Sequence, residues 1–361
     1  MLSSKDLLAQ FSLAAGVPGN EGDIRRLIRQ HLAGLADISH DQSGSIICRR
    51  IGGLDAPRIL VAAHIDEVGF LVRFVTPDGF VKFHPIGGWW EHTLLAQRVV
   101  IKTAKGDVPG IIGAKSVHHL TPEERNRVQD IRNMFIDVGA KDKAEAMDVF
   151  GIMPGDAIVP QTEFMEMKNP RLVSGKAFDD RAGVALFVEA LTQLAGDTLL
   201  NAVYAVGTVQ EEVGSRGAKT AVDQINPDVA IVLEVSPADD TPGFAKDEQQ
   251  GTLGKGAQIR LFDPSMIPNR RFVEFVLNTA HDLNIAHQTA VRINGGTDAR
   301  QIHLHARGVP TIVIAPPVRY IHSHVSLLHL DDYEQTLRLL IELLRRLDAP
   351  TVAALTAFDR E

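Results

Sequence analysis

The segments RAGVALFVEALTQL (residues 181–194) and NAVYAVGTV (residues 201–209) decide the fold. In the first segment, apolar side chains recur at the spacing of an amphipathic helix. The second is the continuous apolar run of a strand that is buried on both faces. This alternation continues toward the C-terminus. Strands that alternate with helices predict an α/β fold with a doubly wound, mainly parallel sheet that carries helices on both faces.

Further elements are predicted outward from these two segments. The predicted helices cover residues 20–35, 217–225, 269–283 and 330–347, and the predicted strands cover residues 58–63, 229–233, 257–262 and 309–315. Residues 68–164 instead form short alternating segments separated by Gly, Pro and Asp, a pattern typical of a small β-barrel or sandwich. Because the α/β pattern resumes afterwards, we predict a discontinuous domain of residues 1–67 and 165–361 with an inserted β domain of residues 68–164.

The composition of the 361 residues excludes several classes of protein. With 45% hydrophobic and 23% charged residues, the chain is globular rather than disordered. A formal net charge of -8 and few aromatic residues argue against nucleic-acid binding. The single cysteine, Cys48, excludes an internal disulfide and a thiolate-rich zinc site, and its apolar context predicts a buried thiol. No segment suits a membrane span or a signal peptide, so we expect a cytoplasmic protein without a membrane partner.

Histidines and acids follow the predicted strands or open a predicted helix. In chain order they are His64 and Asp66, Asp179 and Asp180, Glu211 and Glu212, Glu234, and His322. Ligands of doubly wound sheets bind beyond the carboxyl ends of the strands, so these side chains are expected at one site. A buried cluster of acids needs cations, and His with carboxylates but without Cys suits hydrolytic zinc, cobalt or manganese.

Two pairs in this set predict specific roles. His64 and Asp66 lie two apart on a strand and share a face, so Asp66 can accept the second ring N–H of His64. Of the adjacent Glu211 and Glu212, one would bind metal and the other would act as a general base. Strict strand alternation would place them on opposite faces. The chain must therefore bend there, and Gly214 just downstream makes a bend easy.

Each feature alone also has an ordinary structural explanation. A single His-X-Asp most often lies on the surface or in the core. Two adjacent glutamates most often belong to a solvated face, and two aspartates at a helix start fit helix capping. Their coincidence at successive strand ends favours a metal site. The absence of a G-x-S-x-G motif argues against a serine hydrolase.

An ordered set of segments resembles the M42 metallo-aminopeptidases, a family that includes glutamyl and tetrahedral aminopeptidases. The segments are AAHIDEVGFLV (62–72), IGGWW (86–90), GIIGAKSVHHL (110–120), DVGA (137–140), GKAFDDRAG (175–183), QEEVGSRGA (210–218), EVSPADDTPG (234–243), GGTDA (295–299) and GVPTIVIAPPVRYIHS (308–323). Each segment alone is modest, but the ordered set runs over nearly the whole chain and is highly specific.

The resemblance implies a phosphorylase/hydrolase-like α/β domain, an inserted dimerisation domain and a dinuclear metal site. Carried over by position, one metal would be held by His64, Asp179 and Glu234, and the second by Asp179, Glu212 and His322. Glu211 would be the general base and Asp66 the partner of His64. The resemblance further implies peptide substrates, two divalent ions per subunit (Zn or Co, with Mn as an alternative), and a homo-oligomer, a tetrahedral dodecamer built from dimers.

Two positions depart from the family pattern, and both bear on specificity more than on catalysis. Glu234 stands where members usually carry Asp, and His324 replaces a usual Pro. Three other functions stay open. A deacylase or carboxypeptidase on the same fold would hydrolyse N-blocked substrates. A glycosidase would use two carboxylates and resist chelators, and a metal-dependent scaffold would keep the site without catalysis.

Overall fold

The computed structural model describes residues 2–358. Within this range the helices are α1 (Ser4–Leu13), α2 (Gly22–His31), α3 (Pro122–Arg125), α4 (Phe178–Gln193), α5 (Arg216–Ile225), α6 (Arg270–Asp282), α7 (Ala299–Ile302), α8 (Leu330–Arg346) and α9 (Ala349–Leu355). The strands are β1 (Ala36–His40), β2 (Ile46–Arg50), β3 (Arg58–His64), β4 (Gly69–Val75), β5 (Val81–Ile86), β6 (Arg98–Thr103), β7 (Gly106–Gly113), β8 (Phe135–Asp137), β9 (Ala157–Pro160), β10 (Met165–Glu166), β11 (Leu172–Gly175), β12 (Ala202–Thr208), β13 (Val229–Leu233), β14 (Ser236–Pro237), β15 (Ala257–Phe262), β16 (His287–Val291), β17 (Thr311–Ala315), β18 (Pro317–Arg319) and β19 (Ser326–His329).

The main sheet contains eight strands in the order β1-β2-β12-β3-β13-β17-β15-β16. Its central strands β12, β3, β13 and β17 are parallel to one another, whereas β2 and β15 join them antiparallel. Every helix and strand predicted from the α/β pattern is present, with small shifts at the ends. The predicted α/β fold class is therefore confirmed.

Strand β3 shows how the main sheet is buried on both faces. Ile59, Val61 and Ala63 pack into the core that includes α4 and α8. Leu60 and Ala62 pack into the core on the other face, which includes α5 and α7. Because both faces are covered, every side chain between the ends of this strand is apolar, which explains its continuous apolar run.

The segment between β3 and β10 forms a closed barrel with the strand order β4-β5-β8-β7-β6-β9. Phe70, Val99, Ile101 and Ile136 are among the buried apolar side chains that fill its core. The alternating pattern left a barrel and a sandwich open, and the structure has the barrel. The polar segment after β7 contains α3, where Thr121 and the third residue of the helix form a capping box.

A second sheet of five strands, in the order β10-β11-β19-β18-β14, is not predicted by the sequence pattern. Its strands are two to four residues long, too short to produce a recognisable alternation. Strand β14 continues from β13 and β18 continues from β17, so this sheet extends beyond the carboxyl ends of the main sheet. Within residues 2–358, no helix is long and apolar enough to cross a membrane.

Candidate metal centre and active site

The carboxyl ends of three adjacent parallel strands bring the first site residues together. Strand β3 ends at His64, β13 ends one residue before Glu234, and β12 ends shortly before Glu211 and Glu212. Gln210 has a positive φ of 57°, so the chain turns just before the two glutamates. Neighbouring strands lie about 4.8 Å apart, which is why these side chains share one edge of the sheet.

Asp179 connects the strand-end residues to the rest of the site. It lies in the first turn of α4, and its Oδ1 is 3.0 Å from Nε2 of His64. Its Oδ2 is 3.3 Å from Nε2 of His322, which lies between β18 and β19. One carboxylate therefore lies between two imidazoles from distant parts of the chain.

Both histidine rings are oriented by the main chain so that Nε2 faces Asp179. Nδ1 of His64 contacts the main-chain oxygen of Asp66 at 3.1 Å, and Nδ1 of His322 contacts that of Gly88 at 2.8 Å. A carbonyl oxygen can only accept, so each Nδ1 carries the hydrogen. Each Nε2 then faces a carboxylate, an arrangement that requires either a second proton on the ring or a metal ion between the two groups.

The described residues contain two groups whose possible ligand atoms all lie within 4.8 Å of one another. One group is His64, Asp180 and Glu234, and the other is His64, Asp179 and Glu212. Oε1 of Glu212 is buried without a hydrogen-bond partner within residues 2–358. Nitrogen and oxygen donors without sulfur, together with this unpartnered oxygen, fit a divalent metal ion such as zinc, cobalt or manganese.

The site holds more negative charge than its own side chains offset. Burial raises the pKa of Glu212 to about 8 and also raises the pKa values of Glu234 and Asp180. Among residues 2–358, the ion-pair contacts of Glu212 and Glu234 are long and reach only histidine, at 3.5 Å to His322 and 3.8 Å to His64. A cation within a few ångströms stabilises ionised carboxylates, so metal binding would remove this energetic cost.

Asp66 holds the two adjacent glutamates in place. Its Oδ1 and Oδ2 accept hydrogen bonds from the main-chain N–H groups of Glu211 and Glu212, each at 3.0 Å. The carboxylate lies 3.6 Å from Nδ1 of His64. Nδ1 of His64 therefore bonds the main-chain oxygen of Asp66, at 3.1 Å, and the carboxylate of Asp66 bonds the turn after β12.

Two side chains near Glu211 are not predicted by the sequence. Ser215 Oγ donates a hydrogen bond to Oε1 of Glu211 at 2.8 Å, and burial raises the pKa of Glu211. Asp298 is buried nearby, accepts a hydrogen bond from Thr208, and has a pKa raised to about 8 by burial and then by the charge of Glu211. Two segments of the family resemblance contain these residues: Ser215 lies in QEEVGSRGA and Asp298 lies in GGTDA.

A cavity of about 350 Å³ opens over the site. Every residue assigned a role from the sequence lines it except Asp66, which lies behind Glu211 and Glu212. Another part of its wall contains Arg260, Arg292 and Arg300. No motif in the sequence predicts these arginines, because they come from three separate elements that only the tertiary structure brings together.

Comparison with known proteins gives consistent matches over nearly the whole chain. The family model for M42 glutamyl aminopeptidase matches residues 44–339. The putative aminopeptidase FrvX of Escherichia coli (strain K12) is 34% identical over 355 residues, which cover 98% of each chain. A TET aminopeptidase from the marine sediment archaeon Thaumarchaeota archaeon SCGC AB-539-E09 has a TM-score of 0.95 at 44% identity, covering 98% of this chain and 99% of that chain. The TET1 peptidase of Pyrococcus horikoshii, which can assemble into a tetrahedron or a large octahedral shell, has a TM-score of 0.86 at 32% identity, covering 96% of this chain and 100% of that chain.

Proposed function

The chain belongs to the M42 glutamyl aminopeptidase family and is thus a hydrolase of peptide bonds, and we propose that it is a dinuclear metal-dependent aminopeptidase. It removes N-terminal residues from peptides. The observation that carries this proposal is the position of Asp179 between Nε2 of His64 and Nε2 of His322, at 3.0 and 3.3 Å. A carboxylate with one oxygen toward each imidazole is suited to bridge two metal ions.

We assign the ligands of the two ions from these contacts. One ion would be held by His64, Asp179 and Glu234, and the other by Asp179, Glu212 and His322. The two Asp180 oxygens accept main-chain N–H groups of His64 and Gly183, at 3.2 and 3.0 Å, so we assign Asp180 to fixing the backbone instead. When bound, the ions polarise the scissile carbonyl and lower the pKa of water. The ligands suit zinc or cobalt, with manganese as an alternative.

Glu211 is the proposed general base. Its carboxylate takes a proton from the attacking water and delivers it to the leaving amine. The Ser215 hydroxyl holds one carboxylate oxygen at 2.8 Å, and Asp66 holds the main-chain N–H at 3.0 Å, so the side chain has little freedom to turn away. Burial raises the pKa of Glu211, which strengthens the carboxylate as a base.

The relatives of this chain are named aminopeptidases, which favours an aminopeptidase over a deacylase or a carboxypeptidase on the same fold. A peptide with a free N-terminus carries its positive α-amino group next to the scissile bond. An N-blocked substrate lacks that charge. Hydrolysis of N-acetylated peptides, without hydrolysis of the same peptides with free amines, would support the rival function.

We also propose a cytoplasmic homo-oligomer, a tetrahedral dodecamer built from dimers through the barrel. The barrel and the connections between its strands expose large apolar side chains, including Trp90, Ile111, Val117 and Val128. Exposed apolar clusters of this kind mark protein interfaces. The related Pyrococcus horikoshii peptidase can assemble into a tetrahedron or a large octahedral shell, and the first of these supports the same arrangement here. Light scattering on the full chain tests it, and a monomer would contradict it.

The variant Glu211→Gln tests the catalytic assignment. Because the amide cannot accept the proton, we expect turnover of aminoacyl substrates to fall by about 10³-fold. Metal content and thermal stability should stay unchanged, since Glu211 is not an assigned ligand. The matched control is Glu163→Gln, at an exposed glutamate outside the cavity, which should keep full activity. Full turnover in Glu211→Gln would rule out the assignment.

A further inference from the structure

The loop that carries His322 has a backbone that neighbouring parts of the molecule must hold in place. This loop, residues 320–325, connects β18 to β19. Tyr320 and His322 have positive φ angles of 62° and 54°, a region that residues other than glycine rarely adopt. Such residues cost free energy and persist only where their surroundings fix them. Oγ of Ser323 donates a hydrogen bond to the main-chain oxygen of Tyr320 at 2.8 Å, which closes the turn but does not set the direction of the His322 ring.

The ring of His322 is directed by a segment that belongs to the barrel region. Residues 87–89 directly follow strand β5 of the barrel, and we call them the GGW segment. The main-chain oxygen of Gly88 accepts the hydrogen bond of His322 Nδ1 at 2.8 Å. This contact turns Nε2 toward Asp179, beside which the assigned ion would lie. A metal ligand is therefore oriented from the barrel region and not from the main sheet.

The backbone of the GGW segment also approaches a second ligand assigned to the same ion. Gly87 has a positive φ of 78°, and a Cβ at this position would lie 2.9 Å from Oε2 of Glu212. A Cβ on Gly88 would lie 3.1 Å from Nδ1 of His322. Glycine, which has no side chain, allows the backbone to come this close. Because Glu212 and His322 are assigned to one ion, the GGW segment lies against one half of the proposed metal centre.

Trp89 anchors the GGW segment in the barrel. Its ring stacks on that of Phe70 in the barrel core, with the centroids 4.8 Å apart. Its Nε1 donates a hydrogen bond to the main-chain oxygen of Gly69 at 3.1 Å. Since Phe70 is fully buried, Trp89 is held on a rigid support. The ring of His324 packs against this fixed indole, with the centroids 5.3 Å apart.

His324 has a buried ring whose polar atoms are unused. It is 2% exposed, and neither Nδ1 nor Nε2 has a hydrogen-bond partner within residues 2–358. Burial of unpaired nitrogen atoms costs free energy, so hydrogen bonding does not explain why this ring lies here. Its packing against Trp89 does explain the position, because a ring two residues beyond His322 fixes the loop when it packs on an anchored ring.

We propose that the GGW segment and His324 position the metal centre: Gly88 orients the ring of His322, and the packing of Trp89 on His324 holds the loop. The segment would thus set the affinity of the ion that His322 binds. This inference rests on the proposed dinuclear site. Removal of a group that orients a metal ligand lowers metal affinity by about tenfold to a hundredfold. The other ion should not depend on the segment, because His64 and Glu234 lie at the ends of main-sheet strands.

Calorimetric titration of the chelated protein with zinc tests this selectivity. In His324→Ala we expect one ion to bind about tenfold to a hundredfold more weakly, with the other nearly unchanged. The weakened ion should be the one that Glu234→Gln leaves unchanged. His324→Phe keeps a ring and removes both nitrogens, so it should bind both ions like the wild type. The matched control is His281→Ala, at an exposed histidine of α6, which should change neither affinity.

Three results of this titration would overturn the proposal. They are unchanged binding in His324→Ala, equal weakening of both ions in that variant, and a loss in His324→Phe as large as that in His324→Ala. Equal weakening would indicate a general loosening of the fold. If His324→Ala does not fold, Gly88→Ala provides the second variant, because its Cβ would press on Nδ1 of His322. It should weaken the same single ion, and unchanged binding would refute the role of Gly88.

Crystal structures of the chelated proteins provide a measurement that does not depend on metal. Nε2 of His322 should stay near Asp179 in the wild type and in His324→Phe, as at the 3.3 Å seen here, and should turn away in His324→Ala. An unmoved ring in His324→Ala would refute the positioning role. A wild-type protein that binds fewer than two ions would refute the dinuclear function instead, and these structures would still decide whether the GGW segment positions His322.

Discussion

Glu67 and Glu234 are both buried glutamates close to the carboxyl ends of central strands, yet their surroundings are opposite. Both carboxylate oxygens of Glu67 lie 2.6 Å from Nζ of Lys176, and one also accepts the main-chain N–H of Gly16. Glu234 accepts a hydrogen bond from the adjacent Val235 N–H and lies 3.8 Å from the ring of His64. Burial and the neighbouring acids raise the pKa of Glu234 well above its ordinary value.

This difference separates acids that serve the fold from acids that serve the site. A buried carboxylate is costly unless a cation lies beside it, so a structural acid such as Glu67 is paired within the chain. The side chains of Glu234 and Glu212 are also largely buried, without a lysine or arginine in contact among the described residues. Their missing cation is the one that a bound metal would supply. Two variants and one labelling experiment test this comparison.

The largest expected effect comes from breaking the ion pair between Lys176 and the structural acid Glu67. Lys176→Met leaves Glu67 buried without its main cation, which should lower the free energy of unfolding by about 3 to 5 kcal/mol. Urea unfolding followed by circular dichroism measures this. The control Lys168→Met, at an exposed lysine, should change stability by less than about 0.5 kcal/mol. Equal stability of the two variants would show that Glu67 does not need its partner.

For the site acid Glu234, we expect a smaller effect on stability and a large effect on metal binding. Glu234→Gln removes a buried charge that no protein cation offsets. The metal-free protein should therefore be at least as stable as the wild type, whereas affinity for one metal ion should fall by about tenfold or more. Unfolding after chelation and elemental analysis of the reloaded protein measure the two quantities. Destabilisation of the metal-free variant comparable to that of Lys176→Met would place Glu234 among the structural acids.

The third test concerns a buried ionisable group that stays neutral. Cys48 lies on β2 within the apolar core, and burial raises its pKa to about 12. Alkylation by iodoacetamide at pH 8 should be about a thousandfold slower in the native protein than in urea, because the thiolate is the reactive form. Labelling followed by mass spectrometry measures both rates. Similar rates in the two states would contradict the burial of this thiol.

The central fold and much of the site could be predicted from local sequence. An apolar run followed by an acid or histidine identifies a strand end, and this rule found His64, Glu211, Glu212 and Glu234 before any tertiary contact was known. The five-stranded second sheet could not be found this way, because its strands are too short to show a period. The role of Asp66 was also only partly predictable. Its hydrogen bonds to the turn after β12 depend on the exact approach of two separate segments.

The sequence by itself determined the α/β class, the inserted barrel-like segment, the strand-end residues and the family. These follow from periodicity and from ordered motifs, which are local properties of the chain. Only the tertiary structure decided which buried acids have a cation. Glu67 meets Lys176 across 109 residues of chain, and Arg260 reaches the cavity from a strand that bears no motif. Burial and charge compensation depend on contacts between distant segments, so the division between structural and site acids became visible only in the folded molecule.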